Sequence, residues 1–271
     1  MSKSSRGKSR VNRFKRFDVT GHPPQGFWTA RGIVDVRVFF AGKFHEPGRK
    51  SEDAFFCDVE HGVIAISDGA STSYRADLWS TLIVKQLVTN PEVEFDEIDW
   101  KSLSEQVQSR YPSNEPAFLR PLQLAGSAAT ALRVVLQREE DGWRVSSESL
   151  GDSLLILVEE GADSGTGVIS WPFSSLDEFP IAPPAFASSP PYRRGGESNV
   201  ATFFCDKGDR LLLMTDALGR YFCRVEGHSF GVDETFSFLK SPTMFREWST
   251  REIGSGRLED DDLTLVEVRI L

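Results

Sequence analysis

The chain runs as short apolar stretches separated by clusters of turn-forming residues. In Val34-Asp35-Val36-Arg37-Val38-Phe39-Phe40 the polar residues alternate with valines, the period of a strand. Glu52 to Val59 and Gly62 to Ser67 read as two further strands, split by a turn at Glu60-His61. A helix is predicted over Tyr74 to Val88: Leu78, Leu82, Ile83 and Leu87 recur at helical spacing, and Asn90-Pro91 supplies the stop. Phe95 to Tyr111 reads as a second, more polar helix closed by Pro112. Strand composition returns over Ala125 to Gln137, Trp143 to Leu150 and Leu154 to Glu159. Residues 172 to 196 contain Pro172, Pro180, Pro183, Pro184, Pro190 and Pro191 and read as a long irregular loop, a kind often functional inside a compact domain. Val200 to Cys205 and Arg210 to Thr215 are expected strands, Phe230 to Leu239 and Phe245 to Ile253 helices, and Leu263 to Ile270 a closing strand.

Strands joined by tight turns rather than by crossover helices imply mostly antiparallel sheets with helices packed outside, an α+β class. One domain over residues 27–271 fits better than two, because the closing strand needs partners from earlier in the chain. Trp79, Trp143 and Trp171 are expected in the core, and Ser127 and Thr130 as small packing residues.

Composition narrows the function classes. A chain of 271 residues with 39% hydrophobic and 26% charged positions reads as an ordinary soluble globular protein. No apolar run is long enough to span a bilayer and no signal-peptide stretch opens the chain, so no membrane partner and a cytoplasmic location are expected. The three cysteines, Cys57, Cys205 and Cys223, form no CxxC pair, and the four histidines show no ligand spacing, which argues against a disulfide framework and a zinc site. The net charge of −9 is uneven: residues 1 to 17 carry seven Lys and Arg and no acid, leaving −16 on the rest. Residues 1–26 are therefore expected to form a basic, flexible arm. It reads either as a contact for nucleic acid or an acidic partner, or as a solubilising extension. An acidic body makes a nucleic-acid-binding domain the less expected reading.

The acids themselves repeat one context. Asp68 follows GVIAIS, Asp152 follows VSSESLG, Asp216 follows LLLMT, Asp261 precedes DLTLVEV, and Glu52-Asp53 opens a strand. One carboxylate at a strand end is ordinarily a solvated turn or a helix cap. Five such positions would converge on one rim if the strands pack side by side, and like charges that close cannot all stay ionised without cations between them. Hard divalent ions with oxygen ligands, Mg²⁺ or Mn²⁺, suit such a set.

The series SEDAFF at 51–56, SDGAST at 67–72, AGSAAT at 125–130, GDS at 151–153, GDRLLLMTDAL at 208–218 and DDLTLVEV at 261–268 resembles the PPM/PP2C metal-dependent protein phosphatases, in order and in spacing, over about residues 33–271. It looks most like the small bacterial members. The resemblance implies an αββα sandwich with a binuclear Mg²⁺/Mn²⁺ centre at one edge. It implies that Asp68 bridges the two metals and Gly69 offers its carbonyl, that Glu52 binds directly or through water with Asp53 in support, and that Asp216 and Asp261 complete the set. Asp152 would match the aspartate of a third, weaker metal. Hydrolysis would use a water activated between the metals rather than a Ser or Cys nucleophile.

The chain departs from that pattern in three places. The usual phosphate-gripping arginine position is Gly48, with Arg49 beside it as the candidate; the loop after Asp68-Gly69 is Ala70-Ser71-Thr72-Ser73; and the late motif reads Asp216-Ala217. Arg193-Arg194 reads either as a phosphosubstrate grip or as a solvated pair. The leading expectation is a monomeric serine/threonine phosphatase acting on a phosphorylated protein, such as the target of a cognate kinase. The alternatives are a phosphatase-like regulatory binding module and a small-molecule phosphohydrolase.

Overall fold

A computed structural model describes residues 25–46, 50–112, 114, 116–161, 167–224 and 238–271. Two antiparallel sheets form the centre. The first contains β1 (Gln25–Arg31), β2 (Val34–Ala41), β8 (Leu154–Val158), β9 (Val168–Trp171), β13 (Arg210–Met214) and β14 (Leu263–Ile270), in the order β1-β2-β14-β13-β8-β9. The second contains β3 (Ala54–Asp58), β4 (Val63–Ser67), β6 (Ala131–Glu139), β7 (Gly142–Leu150) and β12 (Asn199–Cys205), in the order β12-β7-β6-β4-β3. A small third sheet joins β5 (Ala128–Ala129), β10 (Ala185–Ala187) and β11 (Arg193–Arg194).

Strand parity explains the layers. Val34, Val36 and Val38 of β2, Leu211 and Leu213 of β13 and Val266, Val268 and Ile270 of β14 face Ile64 and Ile66 of β4 and Leu132, Val134 and Leu136 of β6, making the core between the sheets. The alternate residues face outward and are also buried. Val63 and Ala65 pack under α1 (Ala76–Thr89) and α2 (Trp100–Gln108), with Trp79, Ile83, Leu87 and Trp100. Phe39, Leu154, Leu212, Met214 and Leu265 pack under α4 (Asp216–Arg224) and α5 (Pro242–Gly254), with Leu218, Phe222, Phe245 and Trp248. Because both faces of the central strands are covered, runs such as Val63–Ile66 and Leu211–Met214 are continuously apolar rather than alternating. The result is the αββα sandwich that the resemblance implies.

Several expectations are corrected. The helix over Phe95 to Tyr111 is a single 3-10 turn at Phe95–Glu97 followed by α2, because the Asp99 carboxylate caps α2 by accepting from Ser102 N at 3.0 Å and so sets its start. The strand over Ala125 to Gln137 is α3 (Arg120–Ala125), then β5, then β6. The loop 172–196 contains β10 and β11. Strands β1 and β9 and helix α4 were not anticipated; Gln25 and Gly26, counted with the arm, open β1 and pair with Ala41 and Phe40. The rest of the arm lies outside the described residues, as does the helix over Phe230 to Leu239 apart from Phe238 and Leu239. Among the described residues no helix is long and apolar enough to cross a membrane.

Candidate metal centre

Strand register builds the site. Ala54 of β3 lies opposite Ser67 of β4, so Glu52-Asp53 and Asp68 leave their strands side by side. In the other sheet Met214 pairs with both Leu154 and Leu265, and Leu263 pairs with Ala41. Asp152, Asp216, Asp261 and the segment after β2 therefore emerge at one common end. The structure brings carboxylate oxygens of Asp68, Asp152 and Asp216 within 4.8 Å of one another.

Backbone and hydroxyl contacts hold these carboxylates in place. The Asp68 carbonyl accepts from Thr130 N at 2.8 Å, and Ser67 Oγ donates to Thr130 O at 2.6 Å, so the end of β4 is pinned from the β5–β6 side. Gly69 forms a bridge with Ala129. A Cβ there would sit 2.7 Å from the Glu52 carbonyl and 2.8 Å from Ala76 Cβ, so only glycine lets the two acidic segments approach this closely. Ser80 Oγ of α1 donates to that same Glu52 carbonyl at 2.6 Å, and Glu52 N donates to Asp262 Oδ2 at 2.7 Å. Thr215 Oγ1 donates to Asp53 Oδ2 at 3.0 Å and accepts from Thr264 N at 3.2 Å, tying β3, β13 and β14 together beneath the rim. Asp216 is the first residue of α4, where the helix N-terminus favours negative charge.

The electrostatics are those of crowded acids. Burial, then the charges of Asp53, Asp216, Asp152 and Asp261, push the Asp68 carboxyl well above the ordinary range. Burial and Asp262 do the same for Asp53. Asp152 is pushed up to about 7 by burial and Asp216, against the opposing pull of Arg220. Asp53 Oδ1 is buried with no hydrogen-bond partner among the described residues. An all-oxygen cluster, an orphaned carboxylate oxygen and mutual repulsion together fit hard divalent cations.

Two cations that sequence reasoning missed stand in this rim. Lys43, just beyond β2, places Nζ 2.9 Å from Asp261 Oδ1, 3.7 Å from Glu52 Oε2 and 2.7 Å from Ser71 Oγ, which in turn donates to Glu52 Oε2 at 2.6 Å. Burial lowers the Lys43 pKa, but Asp261, Glu52 and Asp262 outweigh it and leave the ammonium firmly charged. Arg220, one turn into α4, sits 2.9 Å from Asp152 and 3.2 Å from Asp216. An Asp216/Arg220 pair at i,i+4 was findable once a helix was assigned there; no comparable signal marks Lys43. Arg49 lies outside the described residues. Arg193 pairs with Asp96, and Arg194 donates to the carbonyl of Ala125 and to Ser189 Oγ, so neither contacts a rim carboxylate.

No protein-family model matches the chain, and no curated protein does. Solved structures do. The Mycobacterium tuberculosis serine/threonine phosphatase PstP/Ppp aligns at TM-score 0.55 and 14% identity, covering 88% of this chain and 98% of that one. The photosystem II phosphatase PBCP aligns at TM-score 0.52 and 17% identity, covering 88% and 99%. The catalytic domain of PstP in complex with two manganese ions aligns at TM-score 0.50 and 16% identity, covering 91% and 97%. The fold shared with these proteins is the one that the sequence motifs suggested.

Proposed function

We propose that this chain, which has the fold of the PP2C-type phosphatases, is a metal-dependent serine/threonine protein phosphatase of that family, working in the cytoplasm on phosphorylated protein. The observation that carries the reading is the convergence of Asp68, Asp152 and Asp216 within 4.8 Å at the rim where Glu52, Asp53 and Asp261 also emerge. Asp68, with Asp216, Asp261, Glu52 and the Gly69 carbonyl, would hold two Mg²⁺ or Mn²⁺ ions, with Asp53 supporting them from beneath. When bound, such ions supply Lewis acidity: they lower the pKa of water and offset the charge that grows on phosphoryl oxygens. The protein's own part is to keep the carboxylates fixed through Thr215, Ser80, Thr130 and the backbone, so that little reorganisation accompanies reaction. Arg49 is the candidate for the substrate phosphate, and Lys43 is a cation at the acidic rim itself.

The test is turnover of p-nitrophenyl phosphate and of phosphoserine and phosphothreonine peptides, with and without Mn²⁺. Mn²⁺-dependent release from the peptides supports the assignment. Peptide binding without turnover would favour a regulatory module, and turnover confined to small esters a small-molecule phosphohydrolase.

A further inference from the structure

Arg220 stands among three carboxylates. Its Nη2 lies 2.9 Å from Asp152 Oδ2, and its Nη1 lies 3.2 Å from Asp216 Oδ2 and 3.4 Å from Glu259 Oε2. Asp152 and Asp216 are two of the three residues whose oxygens converge. The guanidinium is well fixed. It rises from α4 one turn after Asp216, lies 5.8 Å over the Phe179 ring, and shares Glu259 with Arg224, which sits 2.7 Å from that carboxylate. A guanidinium cannot be deprotonated in a protein, and its planar fork binds carboxylates with fixed geometry. Lys43 differs: it brings one compact ammonium on a flexible stem to Asp261, and such a group withdraws at less cost when an ion arrives. For an ion to use Asp152 and Asp216 together through the oxygens that face Arg220, the guanidinium would have to leave both.

We propose that Arg220 is a built-in counter-ion of this centre: its guanidinium takes the place of a divalent ion between Asp152 and Asp216, so that the cluster holds one ion fewer than its carboxylates would otherwise bind. The proposal rests on the metal reading above for the kind of ion concerned. It gives Asp152 a fixed partner in place of an exchangeable one, so the metal dependence of the protein should saturate without a further weak site.

The experiment is calorimetric Mn²⁺ titration of the full chain, wild type beside Arg220→Ala. The variant should bind one more Mn²⁺ per chain than the wild type. Its metal-free form should melt below the metal-free wild type, and saturating Mn²⁺ should close that gap. Equal Mn²⁺ counts in the two proteins overturn the proposal. Asp152→Ala added to Arg220→Ala should return the count to the wild-type value; an extra ion that survives the double change is not held by Asp152, and overturns it equally. If the alanine variant does not fold, Arg220→Gln makes the same comparison, since it keeps hydrogen-bonding groups without the charge. A wild type that takes up no Mn²⁺ beside a variant that takes up one would sustain the counter-ion role while sinking the phosphatase reading.

Discussion

Replacing Asp68 by asparagine keeps the shape of the side chain and removes one negative charge from the centre of the cluster. Two opposite effects follow, and metal separates them. In chelator the change is a relief. Unit charges ~5 Å apart at an effective dielectric of ~20 repel by roughly 3 kcal/mol, and oxygens of Asp152 and Asp216 lie within 4.8 Å of that of Asp68. Partial protonation of a carboxyl already pushed upward reduces the gain, so a stabilisation of about 1–3 kcal/mol is expected, or a rise in Tm of roughly 2–10 °C for a domain of this size. In Mn²⁺ the variant's advantage should shrink to nothing or reverse. Each site filled at ~100 times its Kd adds ~2.7 kcal/mol, so two sites raise the wild-type Tm by roughly 10–20 °C. The asparagine variant, with a neutral amide where two dications would meet, keeps at most one site and about half that shift, and its turnover should collapse. The assay is a pair of thermal melts, in EDTA and in Mn²⁺. Equal responses to Mn²⁺ in the two proteins would show that Asp68 holds no metal.

Three further outcomes follow from the same geometry. Gly69→Ala forces a Cβ to within 2.7 Å of the Glu52 carbonyl and 2.8 Å of Ala76 Cβ; it should cost ~1–3 kcal/mol in urea unfolding and weaken Mn²⁺ binding, whereas an unchanged Kd would mean that the approach of the two segments does not matter. Arg133→Leu strips the buried Glu148 of its 2.8 Å partner and removes donors from the carbonyls of Asn90 and Val93; a loss of ~3–5 kcal/mol is expected, with Mn²⁺ stoichiometry intact. Arg49→Ala should raise KM for a phosphopeptide about tenfold or more, the value of a charge-assisted contact of ~1.5–3 kcal/mol, without changing metal content; an unaltered KM would move the phosphate contact to Lys43.

The rim was legible in the sequence because strands that are apolar on both faces end abruptly. Val63–Ile66 and Leu211–Met214 run into Ser67-Asp68 and into Thr215-Asp216, so each carboxylate could be placed at a strand end before any packing was known. What was not legible depended on helices and on contacts across the sheets. Gly219, Tyr221 and Phe222 give Asp216–Arg224 a weak helical signature, and without that helix nothing set Arg220 beside Asp216 and Asp152. Lys43 reaches Asp261 only because β2 and β14 are neighbours, a pairing between residues more than two hundred positions apart. The strand Val168–Trp171 is four residues long, and β10 and β11 lie within a proline-rich segment, so local composition hid them. Phe95–Gln108 showed one apolar period across two elements, and only the Asp99 cap marks the break.

The central claim is that this acidic rim works through divalent metal. The most direct measurement is phosphate release from a phosphoserine peptide by the wild-type chain, first stripped in EDTA and then titrated with Mn²⁺ while bound metal is counted in the same samples. Release should be absent in chelator and should rise together with occupancy of the rim. Full turnover in EDTA, with no metal bound, would contradict the account.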